Sequence, residues 1–345
     1  MGQLDTKDMN RTLADIRSII EKRELFLPLA KSKVLITGAT GLIGAMLAKT
    51  LLEADRIYRL EIKVIGFVRN KTKAETIFGD ETDIEIITDY DNISCDYIVH
   101  TISPTTSKFF IEHPVETIRS SVETTISALE LAKKNKAAMV YLSSMEQYGI
   151  PYESGQTMTE DKIGMIDHLN IRSSYSESKR MCECLCAAYA SEYGLDIKIA
   201  RLAQTFGPGA PMSDNRMPMQ FAKAVAEGHD IILQTEGRSV SNFVYITDAI
   251  VGIFTILTKG ISGNAYNICN DSESKTVRQI ADMVAQKVAD GRIGVKIELP
   301  NENPGYAPNV TMFLNSDKLR ALGWNSEVSM EEAYRRLAEY ITTKI

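Results

Sequence analysis

The chain has little of what most often betrays a special class of protein. Among 345 residues there are one tryptophan, four histidines and five cysteines. So few cysteines exclude a disulfide-dense secreted scaffold and fit a reducing compartment. Cys182, Cys184 and Cys186 crowd one predicted helix at a spacing of two, without paired CxxC-like ligands and far from any histidine. They read as small apolar residues, and no metal is expected. No apolar run reaches the ~20 residues that cross a bilayer. The N-terminus is polar and lacks the apolar core of a signal peptide, so a cytoplasmic location is expected. A net charge of −6 offers no basic surface, so neither nucleic acid nor an anionic membrane is expected as a partner. Internal repeats and low-complexity segments are missing as well.

What is present centres on residues 33–52. Val34, Leu35 and Ile36 suit a strand buried on both faces of a parallel sheet, and helical periodicity begins at Leu42. Between them, glycine recurs at 38, 41 and 44. Gly38 permits the tight turn, Gly41 lets a phosphate approach the backbone, and Gly44 lets helix and strand pack closely. The N–H groups of the helix then face a pyrophosphate. With Thr40, Leu42 and Ile43, these glycines are the expected dinucleotide-binding loop.

Further along the chain, Lys63–Val68, Ile84–Ile87, Asp96–His100, Ala138–Leu142 and Ile197–Leu202 read as strands, with helical stretches over 114–135 and up to about Tyr193. Their alternation predicts a Rossmann-type doubly wound parallel sheet, an α/β fold, with ligands at the strand ends. Leu13, Ile16, Ile19 and Ile20 predict an amphipathic helix near 7–22. The expected division is an N-terminal helical extension (1–31), a dinucleotide-binding domain (32–206, with 240–258 returning to it) and a smaller α+β substrate lobe (207–239 and 259–345). Within the returning segment, Asn242–Ile246 is expected to add a strand to the main sheet. An acidic residue at the end of the second strand would hold the ribose hydroxyls of NAD. Val68 and Arg69 stand there instead, and a cation suits the extra phosphate of NADP, so NADP is preferred over NAD.

The chemistry lies in two strand-end clusters. Strand five runs into Ser143-Ser144-Met145-Glu146, and Tyr175 and Lys179 are four apart, hence on one face of a helix. An unperturbed tyrosine ionises near pH ~10. A nearby ammonium and a cationic nicotinamide ring favour the phenolate, which can then take the proton of a substrate alcohol. Ser144 would hydrogen-bond the same oxygen and Lys179 the cofactor ribose.

These motifs together resemble one family, the extended short-chain dehydrogenases/reductases that act on nucleotide sugars. They are Thr37-Gly38-Ala39-Thr40-Gly41-Leu42-Ile43-Gly44, His100 with Ser103-Pro104, Ser143-Ser144-x-Glu146-x-Tyr148-Gly149, Tyr175-x-x-x-Lys179, Arg201 with Phe206-Gly207-Pro208, Tyr245-x-x-Asp248 and Leu322-Gly323-Trp324. The resemblance runs from about residue 33 to 340 and is nearest to UDP-glucuronate decarboxylases and sugar 4,6-dehydratases, as Arg172-Ser173-x-Tyr175-x-Glu177-x-Lys179-Arg180 also suggests. It implies reversible oxidation at C4 of a nucleotide-diphosphate sugar, a cofactor recycled in most members, and a homodimer joined through the helices near 114–135 and 175–193. Asp89, Thr101 and Ser103 join Arg69 as expected cofactor contacts. Glu146 falls where relatives keep a C5 base, so epimerase or dehydratase chemistry is the expected outcome.

Four departures complicate the product. Met145 replaces an aspartate that protonates a leaving hydroxyl, which weakens plain 4,6-dehydration and leaves UDP-uronate decarboxylation as an alternative. Ser241-Asn242-Phe243 replaces an arginine-bearing segment, and Gln204 replaces an asparagine before the Gly-Pro turn. Asn303-Pro304-Gly305-Tyr306 replaces an Arg-Pro-Gly-Asp pattern, so Arg216 or Arg238 is expected to clamp the diphosphate. Ser103 and Gln204 complete the expected substrate contacts. A simple NADP-dependent reductase and a non-catalytic cofactor-binding regulator are the competing readings.

Overall fold

In the computed structural model, residues 8–79, 81–299 and 311–345 are described. Seven strands form one sheet: β1 (Lys33–Thr37), β2 (Lys63–Phe67), β3 (Ile84–Ile87), β4 (Tyr97–His100), β5 (Ala138–Ser144), β6 (Ile197–Leu202) and β7 (Ala265–Ile268). Their spatial order is β7-β6-β5-β4-β1-β2-β3 and all neighbours are parallel. The order reverses between β1 and β4, where an open parallel sheet leaves a crevice at its carboxyl end.

Strand periodicity separates two cores. Val34, Ile36, Val99, Val140 and Leu142 point to one side of the sheet. Leu35, Ile98, Met139 and Tyr141 point to the other. The first face is covered by α2 (Leu42–Tyr58) and by α8 (Ile246–Lys259), which is buried continuously from Ile246 to Leu257. The second is covered by α5 (Pro114–Asn135) and α6 (Ser174–Tyr193), with Ala128, Ala132, Cys182 and Cys186 against the strands. Cys184 faces outward from the same helix.

The amphipathic N-terminal helix, α1 (Asp8–Ile20), lies across α2 and α8 and buries Ile16, Ile19 and Ile20. Asp15, fully buried, accepts hydrogen bonds from Arg11 (2.6 Å) and Tyr245 Oη (2.6 Å) and faces Arg336 (3.3 Å). The carboxylate of Asp248, the other end of the Tyr-x-x-Asp motif, accepts from the Ser326 hydroxyl and from the N–H groups of Glu327 and Val328, each at 3.0 Å. This motif therefore staples the terminal segments to α8.

One strand assignment is corrected. Asn242–Ile246 does not enter the main sheet: Phe243–Tyr245 pairs in parallel with Gln204–Phe206 in a separate ladder. The seventh strand is Ala265–Ile268, beside β6. The strand that reaches the sheet edge is the one after α8, the helix buried against this face of the sheet. Asn242 is instead a clip: its buried side chain donates to Met312 O (2.8 Å) and accepts from Leu314 N–H (3.0 Å). Other short ladders join 231–233 with 295–297 and 157–158 with 313–314.

Candidate active site

The glycine loop is shaped by contacts that no side chain would allow. Gly38 sits at φ +70°, with its N–H on Phe67 O (3.0 Å), and Gly41 N–H returns to Gly38 O (2.9 Å). A Cβ on Gly44 would lie 2.3 Å from Gly38 O, and one on Gly38 would lie 2.8 Å from Thr101 Oγ1. No side chain caps α2, whose first turn includes Leu42, Ile43 and Gly44. Its N–H groups are left for an anion, and Thr40 borders the loop. Behind it, His100 Nδ1 lies 2.7 Å from Thr37 Oγ1 and Nε2 lies 3.2 Å from Thr125 Oγ1. Burial, helped by the charge of Lys179, draws the His100 pKa down to about 3, so the ring is a neutral strut at neutral pH. Thr101 donates its hydroxyl to Thr37 O (2.6 Å) and so ties the end of β4 to the loop.

These features fit a dinucleotide. At the adenosine end of the crevice, Val68 is buried and Arg69 is exposed at the end of β2. Phe67 and Tyr90 stack with centroids 4.5 Å apart. Asp89 is exposed, with Oδ1 accepting the N–H of Asp91 (3.0 Å).

The second half of the site is built on the end of β5. Ser143 donates to the buried Glu183 carboxylate, which is held by Arg201 Nη2 at 2.7 Å. This fixes the strand just before Ser144. The Ser144 hydroxyl accepts Glu146 N–H (3.2 Å) and opens the turn Met145–Tyr148. Tyr175 occupies the first turn of α6, and its ring lies on Phe110 of α4 (Ser107–Glu112), with centroids 4.3 Å apart and planes 6° apart. Lys179, one turn on, is buried and donates to Leu142 O (2.7 Å). Its ammonium sits 5.7 Å from the centre of the Tyr175 ring.

Burial pushes the Tyr175 phenol above its ordinary value, the charge of Glu146 adds to this, and Ser144, Ser103 and Arg216 oppose it. Lys179 is itself drawn down to about 8 by burial, against the pull of Cys182, Glu183 and Cys186. In the protein without cofactor, desolvation is the largest influence on the Tyr175 phenol. Glu146 is raised by burial, with Arg172 opposing, and their side chains meet at 3.5 Å.

The structure thus gathers Ser103, Ser144, Glu146, Lys179 and Arg216 around Tyr175. The Ser103 hydroxyl is turned to the Tyr175 phenol. Arg216, at the start of α7 (Met217–Glu227), is held by Asp214 at 2.7 Å. Arg238 is exposed and paired with Glu236 (2.7 Å), and Gln204 is exposed at the start of its short ladder. Neither makes a contact that ties it to Tyr175. Residues 303–306 lie outside the described residues. Phe110 and Arg172 have places at the site that their residue types did not reveal. For Arg172 a signal existed, since a residue three before Tyr175 shares its side of a helical turn.

A glycine-shaped anion cradle beside a Ser–Tyr–Lys cluster at strand ends defines a dinucleotide-dependent α/β enzyme of the extended short-chain dehydrogenase/reductase type. More particularly, the chain belongs to the NAD-dependent epimerase/dehydratase family, whose model matches residues 34–269. It is 27% identical to UDP-glucuronic acid decarboxylase 1 of Xenopus tropicalis over 91% of this chain and 73% of the relative. It is 28% identical to UDP-glucuronic acid decarboxylase 6 of Arabidopsis thaliana over 89% and 88%. A UDP-glucose 4-epimerase of Thermotoga maritima shares the fold with a TM-score of 0.77 and 18% identity, over 90% of this chain and 99% of that one. A dTDP-glucose 4,6-dehydratase of Bacillus anthracis, solved with NAD, does so at 0.73 and 18%, over 90% and 97%.

Proposed function

We propose that this enzyme oxidises a nucleotide-diphosphate sugar at C4 and then acts at C5 or C6, as an epimerase or dehydratase. The observation that carries the reading is the convergence of Tyr175, Ser144, Lys179 and Glu146 beside the glycine loop. When bound, the oxidised nicotinamide supplies a hydride acceptor and a further positive charge. In the phenolate form that this charge and Lys179 favour, Tyr175 Oη takes the proton of the C4 hydroxyl, and Ser144 Oγ hydrogen-bonds the same oxygen as it becomes a carbonyl. Lys179, fixed by Leu142 O, keeps a cation next to the phenol. The C4 carbonyl acidifies the C5 proton, and Glu146 removes it. Arg216 is the better diphosphate clamp, because its charge acts on Tyr175; both arginines have a carboxylate partner, Arg216 in Asp214 and Arg238 in Glu236.

Decarboxylation of a uronate is the second reading. It is favoured by the decarboxylase relatives and by Met145, which is buried and has no proton to give a leaving hydroxyl. Arg69 supports NADP over NAD, and Thr40, Thr101, Ser103 and Asp89 are the further cofactor contacts. Exposed Val115, Ile118 and Ile126 on α5 and Met181 on α6 support a homodimer through these helices. No helix among the described residues is long and apolar enough to cross a membrane.

One experiment tests the reading. Incubation with UDP-, dTDP-, GDP- and CDP-sugars, followed by mass spectrometry, is expected to reveal loss of water or carbon dioxide, or an isomer. No change with any of them overturns it. Mass spectrometry of the denatured protein identifies the cofactor, and light scattering gives the number of copies.

A further inference from the structure

Arg172 is the side chain at this site whose surroundings ask for more explanation than fold stability provides. It sits on the short turn Ile171–Ser173 that leads directly into α6, three residues before Tyr175. Its Nη1 lies 3.5 Å from Glu146 Oε2. Its Nη2 reaches the Ser107 hydroxyl, also at 3.5 Å, on the first turn of α4. Its Nε is buried with no partner. The same helix α4 supplies Phe110, on which Tyr175 rests, and the Phe110 carbonyl accepts the Ser174 hydroxyl at 3.4 Å. One helix therefore backs the tyrosine directly and the carboxylate through the arginine.

The charges around Glu146 agree with this geometry. Arg172 faces it from the α6 turn, and Tyr175 faces it from α6 itself. Its own N–H is held by Ser144. Burial favours the protonated acid, which cannot accept a proton, and Arg172 is the cation that acts against burial. Glu146 retains 36% side-chain exposure and Arg172 27%, so the pair is partly screened and able to part. At 3.5 Å the contact is also longer than a charge-assisted hydrogen bond of ~2.8 Å, and the carboxylate keeps free lone pairs.

We propose that Arg172 is the positioning residue for Glu146: braced by Ser107, its guanidinium holds that carboxylate charged and aimed into the opening where Tyr175 acts. Arg172 does not itself exchange a proton with substrate. It ties the acid–base group of the second step to the same helix that supports the first step. The inference rests on the reading of Glu146 as the C5 base, and the test separates the two.

The test compares Arg172→Gln, Arg172→Lys and Glu146→Gln with the parent enzyme, in two measurements. The first needs no substrate. A carbon-13 NMR titration of glutamate carboxyl groups, with Glu146 assigned by its loss in Glu146→Gln, follows ionisation directly. Removing a neighbouring cation should raise the Glu146 midpoint by about one pH unit in Arg172→Gln and by much less in Arg172→Lys. The second follows exchange of the C5 proton in deuterated water against pH, with the sugar nucleotide that the enzyme turns over. The rising limb of that profile should move up in Arg172→Gln by the same amount, be largely restored in Arg172→Lys, and leave C4 oxidation in place. A uniform fall in rate with an unmoved midpoint and an unmoved limb overturns the proposal, because it leaves Arg172 a structural part only. Unchanged exchange in Glu146→Gln removes the base itself, a different failure that the NMR midpoint distinguishes.

Discussion

Two buried tyrosines invite comparison, since both belong to motifs that carry the family resemblance and both have a cation nearby. Tyr175 rests on Phe110 with the Lys179 ammonium 5.7 Å from its ring centre. Tyr245 lies under the Arg336 guanidinium at 5.5 Å and donates to Asp15 at 2.6 Å. Residue type and burial do not separate them. Their partners do: Tyr245 donates to the buried Asp15 carboxylate, which Arg11 and Arg336 hold, whereas Tyr175 faces the hydroxyls of Ser144 and Ser103. A buried phenol committed to a carboxylate helps hold the fold, and one that faces two hydroxyls beside a ligand cradle is placed to meet a substrate oxygen.

Substitution at each site should break the comparison in opposite ways. Tyr175→Phe is expected to lower turnover by about 10²–10⁴-fold while thermal melting stays close to the parent, read by product assay and by calorimetry. Glu146→Gln should suppress C5 exchange by about 10²-fold or more and still permit C4 oxidation, seen as a single turnover of cofactor absorbance at 340 nm, the usual wavelength for a reduced nicotinamide. Asp15→Ala leaves two arginines and a phenol facing each other, so denaturant unfolding should report a loss of about 3 kcal/mol, with activity per folded molecule kept. Tyr245→Phe removes one buried hydrogen bond to a charge, and a loss of about 1–3 kcal/mol is expected by the same measurement.

A further effect concerns pH. His100 is held near 3 in the fold and titrates at its ordinary value of 6.5 when unfolded, so between these limits the unfolded chain binds the extra proton. Its contribution to stability is complete above 6.5 and is lost as pH falls toward 3, by at most about 1.4 kcal/mol per pH unit. Asp248, raised to about 6, acts with the opposite sign between that value and 3.8. The difference in slope between the parent and His100→Gln, from urea unfolding at pH 5 and 7, isolates the histidine.

Most of the site was legible because it is local. The glycine spacing, the Ser-Ser strand end and the Tyr-x-x-x-Lys turn are each encoded within a dozen residues, and their positions at strand ends follow from alternation. What escaped the sequence depends on non-local burial. The Tyr175 phenol is raised because the fold dehydrates it, and no spacing reports that. The sheet edge was misassigned because Phe243–Tyr245 and Ala265–Ile268 have equal claims as short apolar runs. Arg172 meets Glu146 across 26 positions of chain, through a loop whose course the residues do not announce.

The helix over residues 8–20 has a practical consequence. It seals a helix that is buried almost end to end, and it lends the core the carboxylate to which Tyr245 donates. A shortened version of this protein that begins at the first strand would expose an oily surface and strand a guanidinium beside it. Such a version should aggregate on expression even though every catalytic side chain is retained.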